Sequence, residues 1–109
     1  MELKVGMYVR TKWGINKINE YVPQTGQLYL KTNVCVKENV IKASHNIIDL
    51  IEVGDIVEVE EFSGKNEIKT YNGILSFQQK GFIFRLDRLR IKSIVTKEQF
   101  ESMSYKVGE

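Results

Sequence analysis

Cysteine and histidine are nearly absent from this sequence. Cys35 is the only cysteine, so the chain cannot form an internal disulfide bond, and this usage fits a reducing compartment. Since Cys35 lies between two valines, we expect it to be a small buried apolar side chain. With His45 as the only histidine, a structural zinc site cannot be assembled. The sequence therefore predicts no metal and no cofactor.

Long apolar runs are also missing. The sequence contains no stretch of about 18 apolar residues and no basic-then-apolar leader. We therefore expect no membrane span, no signal peptide and a cytoplasmic location.

Recognisable catalytic patterns are absent too. The eight glycines are scattered without the spacing of a phosphate-binding loop or a dinucleotide fold. Asp49 lies one helical turn from His45, but no nucleophile motif accompanies the pair. We interpret His45 as a capping or surface residue and predict that the chain is not an enzyme.

The charge distribution is uneven although the net charge is only +2. Residues 1–49 hold seven basic and four acidic side chains, residues 50–81 three and six, and residues 82–109 six and four. An acidic middle thus separates two mildly basic ends. Either this bipolar surface meets a partner, or the segments pair with each other across neighbouring strands.

One short phrase occurs twice. Leu3–Val9 (LKVGMYV) returns as Ile51–Val57 (IEVGDIV), and each copy is followed later by an aromatic turn and a Gly-Ile strand start, at Trp13–Ile15 and at Tyr71–Ile74. Small β-barrels of the SH3 or KOW type open in this way. We predict a mainly β fold: a compact small β-barrel built from two SH3/KOW-like halves with a short C-terminal helix.

The segment between the two copies is apolar, from Ile47 to Ile51, which argues against two independent domains. We expect one domain over residues 1–109, with pseudo-repeat halves 1–46 and 47–109 that share one core. We also expect Ser44–Asn46 to cap a brief helical turn after the first half.

Local patterns predict individual elements. Lys12–Gly14 and Pro23–Gly26 read as turns, and the alternation of residues 56–60 places valines inward and glutamates outward. Phe82, Phe84 and Leu86 share one strand face, with a corner near Asp87. Thr96–Gln99 has the capping-box pattern, so a short helix with Phe100 and Met103 on one side should follow, and then a strand over residues 105–107.

A basic set interleaved with an aromatic residue forms the first candidate binding surface. Arginine guanidinium groups form paired hydrogen bonds to phosphate and aromatic rings stack on bases, so the set suits nucleic-acid binding. The alternative is that the arginines pair with glutamates of the middle segment. Trp13 is either a core-edge residue or a binding anchor. The candidates are Arg10, Lys12, Trp13, Lys17, Arg85, Arg88, Arg90 and Lys92, the last three projecting from one face if that segment is a strand.

An acidic set forms the second candidate surface. Its carboxylates either mimic the phosphates of a nucleic acid or line the solvated face of an exposed strand. The members are Glu52, Asp55, Glu58, Glu60 and Glu61.

Three blocks of sequence are similar to a family of small proteins from phages and prophages of Gram-positive bacteria: residues 42–55, 5–11 and 94–100. This resemblance implies a phage product acting in the bacterial host cytoplasm. Small phage proteins of this size commonly block host machinery, including CRISPR effectors, or sequester immune nucleotide signals.

Three functions follow as hypotheses. The preferred one is a non-enzymatic, phage-encoded protein that inhibits a host defence component, such as a CRISPR effector, by occupying its surface. The second is nucleic-acid binding through the arginine stripe, and the third is a sponge for a nucleotide immune signal. A host protein or ribonucleoprotein is thus the first expected partner, ahead of nucleic acid or a nucleotide ligand.

Overall fold

The computed structural model describes residues 2–31 and 33–101, which form a mainly β fold of small antiparallel sheets with one short helix. By its contacts the chain divides into two compact units, the first ending at Leu50 and the second beginning at Ile51. The observed boundary lies inside the apolar segment that follows the first half. That the halves share one core stays a prediction.

The first unit contains two three-stranded sheets. Their strand orders are β2-β1-β6 and β3-β4-β5, and every pairing is antiparallel. A 3₁₀ turn, Lys37–Asn39, connects β5 to β6, and another, Ile47–Leu50, follows β6 as expected. The strands are β1 (Tyr8–Thr11), β2 (Gly14–Lys17), β3 (Glu20–Val22), β4 (Gln27–Tyr29), β5 (Val34–Val36) and β6 (Lys42–Ser44).

The second unit repeats this connectivity. Its strand orders are β8-β7-β12 and β9-β10-β11, again antiparallel, and a 3₁₀ turn, Leu86–Arg88, connects β11 to β12. That turn is the corner expected near Asp87. The strands are β7 (Ile56–Val59), β8 (Asn66–Glu67), β9 (Lys69–Tyr71), β10 (Ile74–Gln79), β11 (Phe82–Arg85) and β12 (Ile91–Val95).

The doubled phrase forms the same turn in both units. Gly6 and Gly54 have φ angles of 95° and 98°, which glycine adopts most readily because it lacks a Cβ atom. Each donates its amide to a buried isoleucine carbonyl, Gly6 to Ile18 and Gly54 to Ile68, both at 3.0 Å. Two more backbone hydrogen bonds recur with equal lengths in both units. The Met7 amide donates to the Lys4 carbonyl at 3.1 Å, as the Asp55 amide does to the Glu52 carbonyl. The Ile18 amide donates to the Met7 carbonyl at 2.8 Å, as the Ile68 amide does to the Asp55 carbonyl.

The second part of the proposed repeat is not structurally equivalent. Gly14 begins β2, the second strand of its unit, whereas Ile74 begins β10, the fourth strand of its unit. Tight turns end in Gly-Ile in both places because glycine suits the turn and isoleucine suits the strand. The likeness therefore reflects local turn chemistry rather than a matching position.

Alternating strands supply the cores. In the first unit Met7, Val9, Ile18, Leu28, Leu30 and Cys35 form one buried apolar cluster. In the second, Val57 and Val59 are buried and Glu60 is exposed, as the alternation of residues 56–60 predicts, whereas Glu58 is half-buried. The ring of Phe62 lies 4.4 Å from that of Phe84 and 6.4 Å from that of Phe77, which is fully buried.

The C-terminal helix, α1, occupies residues 97–101 of the described chain. Its capping box is confirmed: the Thr96 amide donates to Gln99 Oε1 at 2.8 Å, and the Gln99 amide donates to Thr96 Oγ1 at 3.3 Å. Met103 and the strand expected over residues 105–107 lie outside the described residues. Within the part of the chain described, no helix is long and apolar enough to span a membrane.

Candidate binding surfaces

Asp55 of the acidic set is buried rather than exposed. Its Oδ2 accepts the Glu52 amide at 2.8 Å, and its Oδ1 accepts the amide of Lys97 at 3.0 Å. Lys97 begins α1, so the carboxylate lies at the positive end of the helix and satisfies an amide that has no partner within it. Asp55 therefore connects the turn before β7 to the start of the helix. Its predicted place on an exposed acidic surface is wrong.

Three other acidic residues contact the same C-terminal segment. Glu52 pairs with the Lys97 ammonium at 3.0 Å, Glu58 accepts the Ser93 hydroxyl at 2.7 Å, and Glu61 accepts the Arg90 amide at 3.1 Å. Together with Asp55, these residues connect the stretch from Glu52 to Glu61 with residues 90–97. Glu60 is exposed and completes the acidic set. The acidic run therefore acts mainly within its own unit.

Two of the four basic candidates of the second unit form ion pairs with carboxylates. Arg85 forms an ion pair with Asp87 at 2.8 Å, and Arg90 Nε lies 3.7 Å from Glu61. The hydrogen bond that Arg85 donates to Asp87 holds the pKa of Asp87 below its ordinary value, and the positive charges of Arg85 and Arg88 add to this effect. The alternative interpretation, pairing with glutamates of the middle segment, is confirmed for Arg90.

These basic residues also do not share one strand face. Arg88 lies in the 3₁₀ turn, Arg90 precedes β12, and only Lys92 belongs to that strand. Lys92 is exposed and lines a small surface groove with Glu60 and Glu61. The expected stripe of Arg88, Arg90 and Lys92 is therefore wrong, because the corner after Leu86 ends the alternation on which it depended.

Arg10, the first member of the basic set, is fully buried. Its Nη1 donates to the carbonyl oxygen of Leu50 at 2.8 Å. The 3₁₀ turn Ile47–Leu50 packs against β1, and its last carbonyl provides this partner. Arg10 is therefore not a member of an exposed basic surface. The sequence did not reveal this burial, because strand alternation places Arg10 and the buried Val9 on different faces of β1 and so predicts an exposed arginine.

The β1–β2 hairpin, Tyr8–Lys17, presents the remaining members of the set, and we call it the Trp13 hairpin. Trp13 is 45% exposed, and its amide donates to Thr11 Oγ1 at 3.1 Å, which fixes the turn. The ammonium of Lys12 lies 4.8 Å from the Trp13 ring centroid. Lys17 is opposite Tyr8 in the strand register, and its ammonium lies 6.0 Å from that ring.

Sequence reasoning missed Tyr8 as a member of this surface. Its partnership with Lys17 arises from cross-strand pairing, and the signal was available because a two-residue turn fixes the register of a hairpin. Lys12, Trp13 and Lys17 are thus the candidates that the structure brings together.

A groove of about 730 Å³ opens on the first unit, and no sequence pattern indicated it. Leu3, Tyr21 and Val40 are half-buried and pack against the core cluster, so they give the groove an apolar lining. Pro23 and Ile41 extend this lining, and the charged side chains are Glu2 and Lys37.

Lys37 is held in place by a glycine. Its amide donates to the Gly26 carbonyl at 2.8 Å, and its aliphatic stem crosses Gly26 so closely that a Cβ atom there would meet Cγ at 3.4 Å. Gly26 also has a φ angle of 76°, which suits glycine. The turn Pro23–Gly26 therefore positions the lysine that lines the groove.

An apolar patch covers the outer face of the β3-β4-β5 sheet. Tyr29 is opposite Val34 on the neighbouring strand, and Gln27 is opposite Val36. Tyr29, Val34 and Val36 are all exposed, whereas Cys35 between the valines is buried in the core, as expected. Burial raises the pKa of the Cys35 thiol.

His45 is exposed, in agreement with the sequence interpretation. The helical turn that follows it is capped by Asn46, whose Oδ1 accepts the Ile48 amide at 3.2 Å. Among residues 2–31 and 33–101, no group of three or more histidine, cysteine, aspartate or glutamate side chains is placed to hold a metal ion.

Compared with known proteins, the chain matches no family model, no curated protein and no solved structure to a significant degree.

Proposed function

We propose that this chain is a non-enzymatic binding protein that inhibits a partner protein by occupying its surface, and that the Trp13 hairpin makes the central contact. The observation that carries the proposal is the exposed indole of Trp13 with Lys12 held against its ring. Tryptophan is enriched among the residues that dominate protein interfaces. Strand pairing and the turn hydrogen bond to Thr11 already constrain the backbone that presents it, which lowers the entropy lost on binding.

The hairpin chemistry favours protein over nucleic acid. The exposed cations beside Trp13 and Tyr8 are lysines, Lys12 and Lys17, and not the arginines that hold phosphate through two parallel hydrogen bonds. Two of the three exposed arginines, Arg85 and Arg90, already have carboxylate partners. The lysines of the hairpin instead suit a partner surface with carboxylates around an apolar pocket for the indole.

The biological setting of the proposal rests on the sequence resemblance. A phage product in the bacterial cytoplasm would find its partner among host proteins, and a defence component such as a CRISPR effector is the class to test first. Occupying the surface of such a component requires no catalytic residue in this chain.

The fold supports a finer statement as part of this proposal. In each unit the first strand pairs with the last, three middle strands form a meander, and a 3₁₀ turn precedes the last strand. On this connectivity we base the proposal that the halves are SH3-like. An experimental structure that shows a small closed barrel built from two SH3-like halves would support the assignment, and open, unconnected sheets would contradict it.

The binding proposal is tested by capture and by a defence assay in parallel. The immobilised chain is exposed to untreated and to nuclease-treated host lysate, and the proteins retained by wild type, Trp13→Ala and the control Phe100→Ala are quantified. Phe100 is similarly exposed but lies in the second unit. We expect a host protein that is retained by wild type and the control but lost with Trp13→Ala.

The same variants are then expressed in a host with an active defence system, and phage plaques are counted. Wild type and Phe100→Ala should restore plaque formation, and Trp13→Ala should not. Retention that is unchanged in Trp13→Ala, or that disappears after nuclease treatment, would contradict the proposal. The second result would instead support nucleic-acid binding.

The groove of the first unit supports a second candidate, a sponge for a nucleotide signal. Its volume of about 730 Å³ suits a small molecule, Tyr21 offers a ring, and Lys37 offers a cation for phosphate. A nucleotide at a hundred times its dissociation constant should add about 2.7 kcal/mol of stability. A thermal shift with one such nucleotide, absent in Lys37→Gln, would support this candidate, and no shift with any of them would exclude it.

A further inference from the structure

Strand β11 forms an outer edge of the β9-β10-β11 sheet and carries unusually exposed apolar side chains. Phe82 is 68% exposed, the highest value among the large apolar side chains described, and Ile83 is 52% exposed. Natural sheets usually protect such edges with charges, proline or bulges, because an open edge invites another strand to pair with it. An edge with two exposed apolar residues is suited to an interface.

The hairpin turn determines which backbone groups face outward from this edge. Lys80 and Gly81 have φ angles of 52° and 84°, as a two-residue type I′ turn requires, and Gln79 is opposite Phe82. The pair that closes such a turn exchanges both of its hydrogen bonds, and bonded pairs then alternate along the strands. Phe82 and Phe84 therefore bond to β10, and the amides and carbonyls of Ile83 and Arg85 point to the open side.

We propose that β11 pairs with β11 of a second copy of this chain, in an antiparallel, two-fold symmetric dimer that joins two three-stranded sheets into one of six strands. The inference is independent of the proposed function. A two-fold contact requires a surface that complements itself. Pairing centred on Phe84 meets this condition, because it places Ile83 opposite Arg85 of the second copy and engages all four outward backbone groups.

Side chains in this register are also compatible. Phe84 meets its own equivalent, and the exposed Phe82 lies diagonal to it on the same face, where aromatic cross-strand contacts are favourable. This extends the aromatic contact between Phe62 and Phe84 across the two-fold axis. Arg85, the only charged residue of the strand, faces isoleucine rather than another cation, and Asp87 balances its charge. A second copy is therefore favoured as the occupant of the edge.

Sedimentation equilibrium of the purified full chain tests the proposal, with Ile83→Pro as the main variant. Proline lacks the amide hydrogen, but the amide of residue 83 faces away from β10, so the bonds inside the sheet are retained. We expect a dimer mass for wild type and a monomer mass for Ile83→Pro at the same concentration, with unchanged far-ultraviolet circular dichroism. Ile83→Lys should also give a monomer, which keeps the test valid if proline prevents folding.

Val34→Lys is the matched control, because Val34 is equally exposed and lies on β5, the equivalent edge strand of the first unit. It should remain a dimer. Amide hydrogen exchange adds a residue-level readout: the amides of Ile83 and Arg85 should be protected in wild type and exchange rapidly in Phe82→Lys, while Phe84 stays protected in both. A monomeric wild type, a dimer that survives both Ile83 variants, or dissociation by Val34→Lys would each overturn the proposal.

Discussion

The buried carboxylate of Asp55 accepts the backbone amide of Lys97 at 3.0 Å, and so joins the turn before β7 to the first residue of the C-terminal helix. Its other oxygen accepts the Glu52 amide. In the first unit the same position of the repeat holds Met7, a core residue. One substitution within a repeated turn thus converts an apolar core position into a helix cap.

Asp55→Asn should destabilise the protein. One carboxylate oxygen becomes an amide NH₂ group that faces a backbone N–H, and a buried donor without an acceptor costs about 1–3 kcal/mol. Urea unfolding followed by circular dichroism measures the change. Glu60→Gln, an exposed member of the same acidic run, serves as the control and should shift stability by less than about 0.5 kcal/mol. Equal stability of Asp55→Asn and wild type would contradict the capping role.

Gly6→Ala and Gly54→Ala should destabilise the protein by similar amounts, about 1–3 kcal/mol each, because both glycines hold a φ angle near 95° that alanine strains to adopt. Steric clash is not the cause: a Cβ atom at Gly6 would meet no atom within 4 Å, and one at Gly54 would lie 3.6 Å from Lys97 Cδ. Urea midpoints of the two variants should therefore agree. A loss in only one of them would show that the two turns are not energetically equivalent.

Arg10→Met should cost about 1–3 kcal/mol, because the buried carbonyl of Leu50 loses the guanidinium that donates to it. Methionine retains much of the aliphatic volume, which separates the lost hydrogen bond from a lost packing contact. Lys4→Met provides the control from an exposed position of the same unit. If both variants unfold at the same urea concentration as wild type, the buried bond has no measurable role.

Removal of Arg85 should raise the pKa of Asp87. The hydrogen bond from Arg85 is the largest cause of its lowering below 3.8, and the charge of Arg88 adds to it. Carboxyl chemical shifts followed through a pH titration should show a higher pKa for Asp87 in Arg85→Gln than in wild type. Lys92→Gln, which leaves that pair intact, should not change it.

The same ion pair predicts a direction for stability against pH. Because the pKa of Asp87 is lower in the folded chain than in the unfolded chain, the pair stabilises the fold above the unfolded-state pKa. This contribution is lost as pH falls below about 3.8 and through the folded-state pKa. Urea unfolding at pH 3 and pH 6 should therefore show a smaller pH dependence for Arg85→Gln than for wild type.

The partners of the charged candidate residues could not be predicted from the sequence. Arg10, Arg85 and Arg90 resemble a phosphate-binding set because composition and spacing report charge but not partners. Leu50 and Glu61, the partners of Arg10 and Arg90, lie 40 and 29 residues away in the chain. Only the fold brings them together, so no local pattern could reveal these bonds.

The sequence by itself determined the local elements. Glycine at positive φ fixed the doubled turn, alternation placed Val57 and Val59 inward, and the Thr96–Gln99 capping box began the helix, because each depends on residues close in the chain. Only the tertiary structure decided the surfaces. The contact of Lys17 with Tyr8, the groove beside Tyr21 and the open edge at Phe82 depend on strand pairing and on which side chains the fold leaves uncovered.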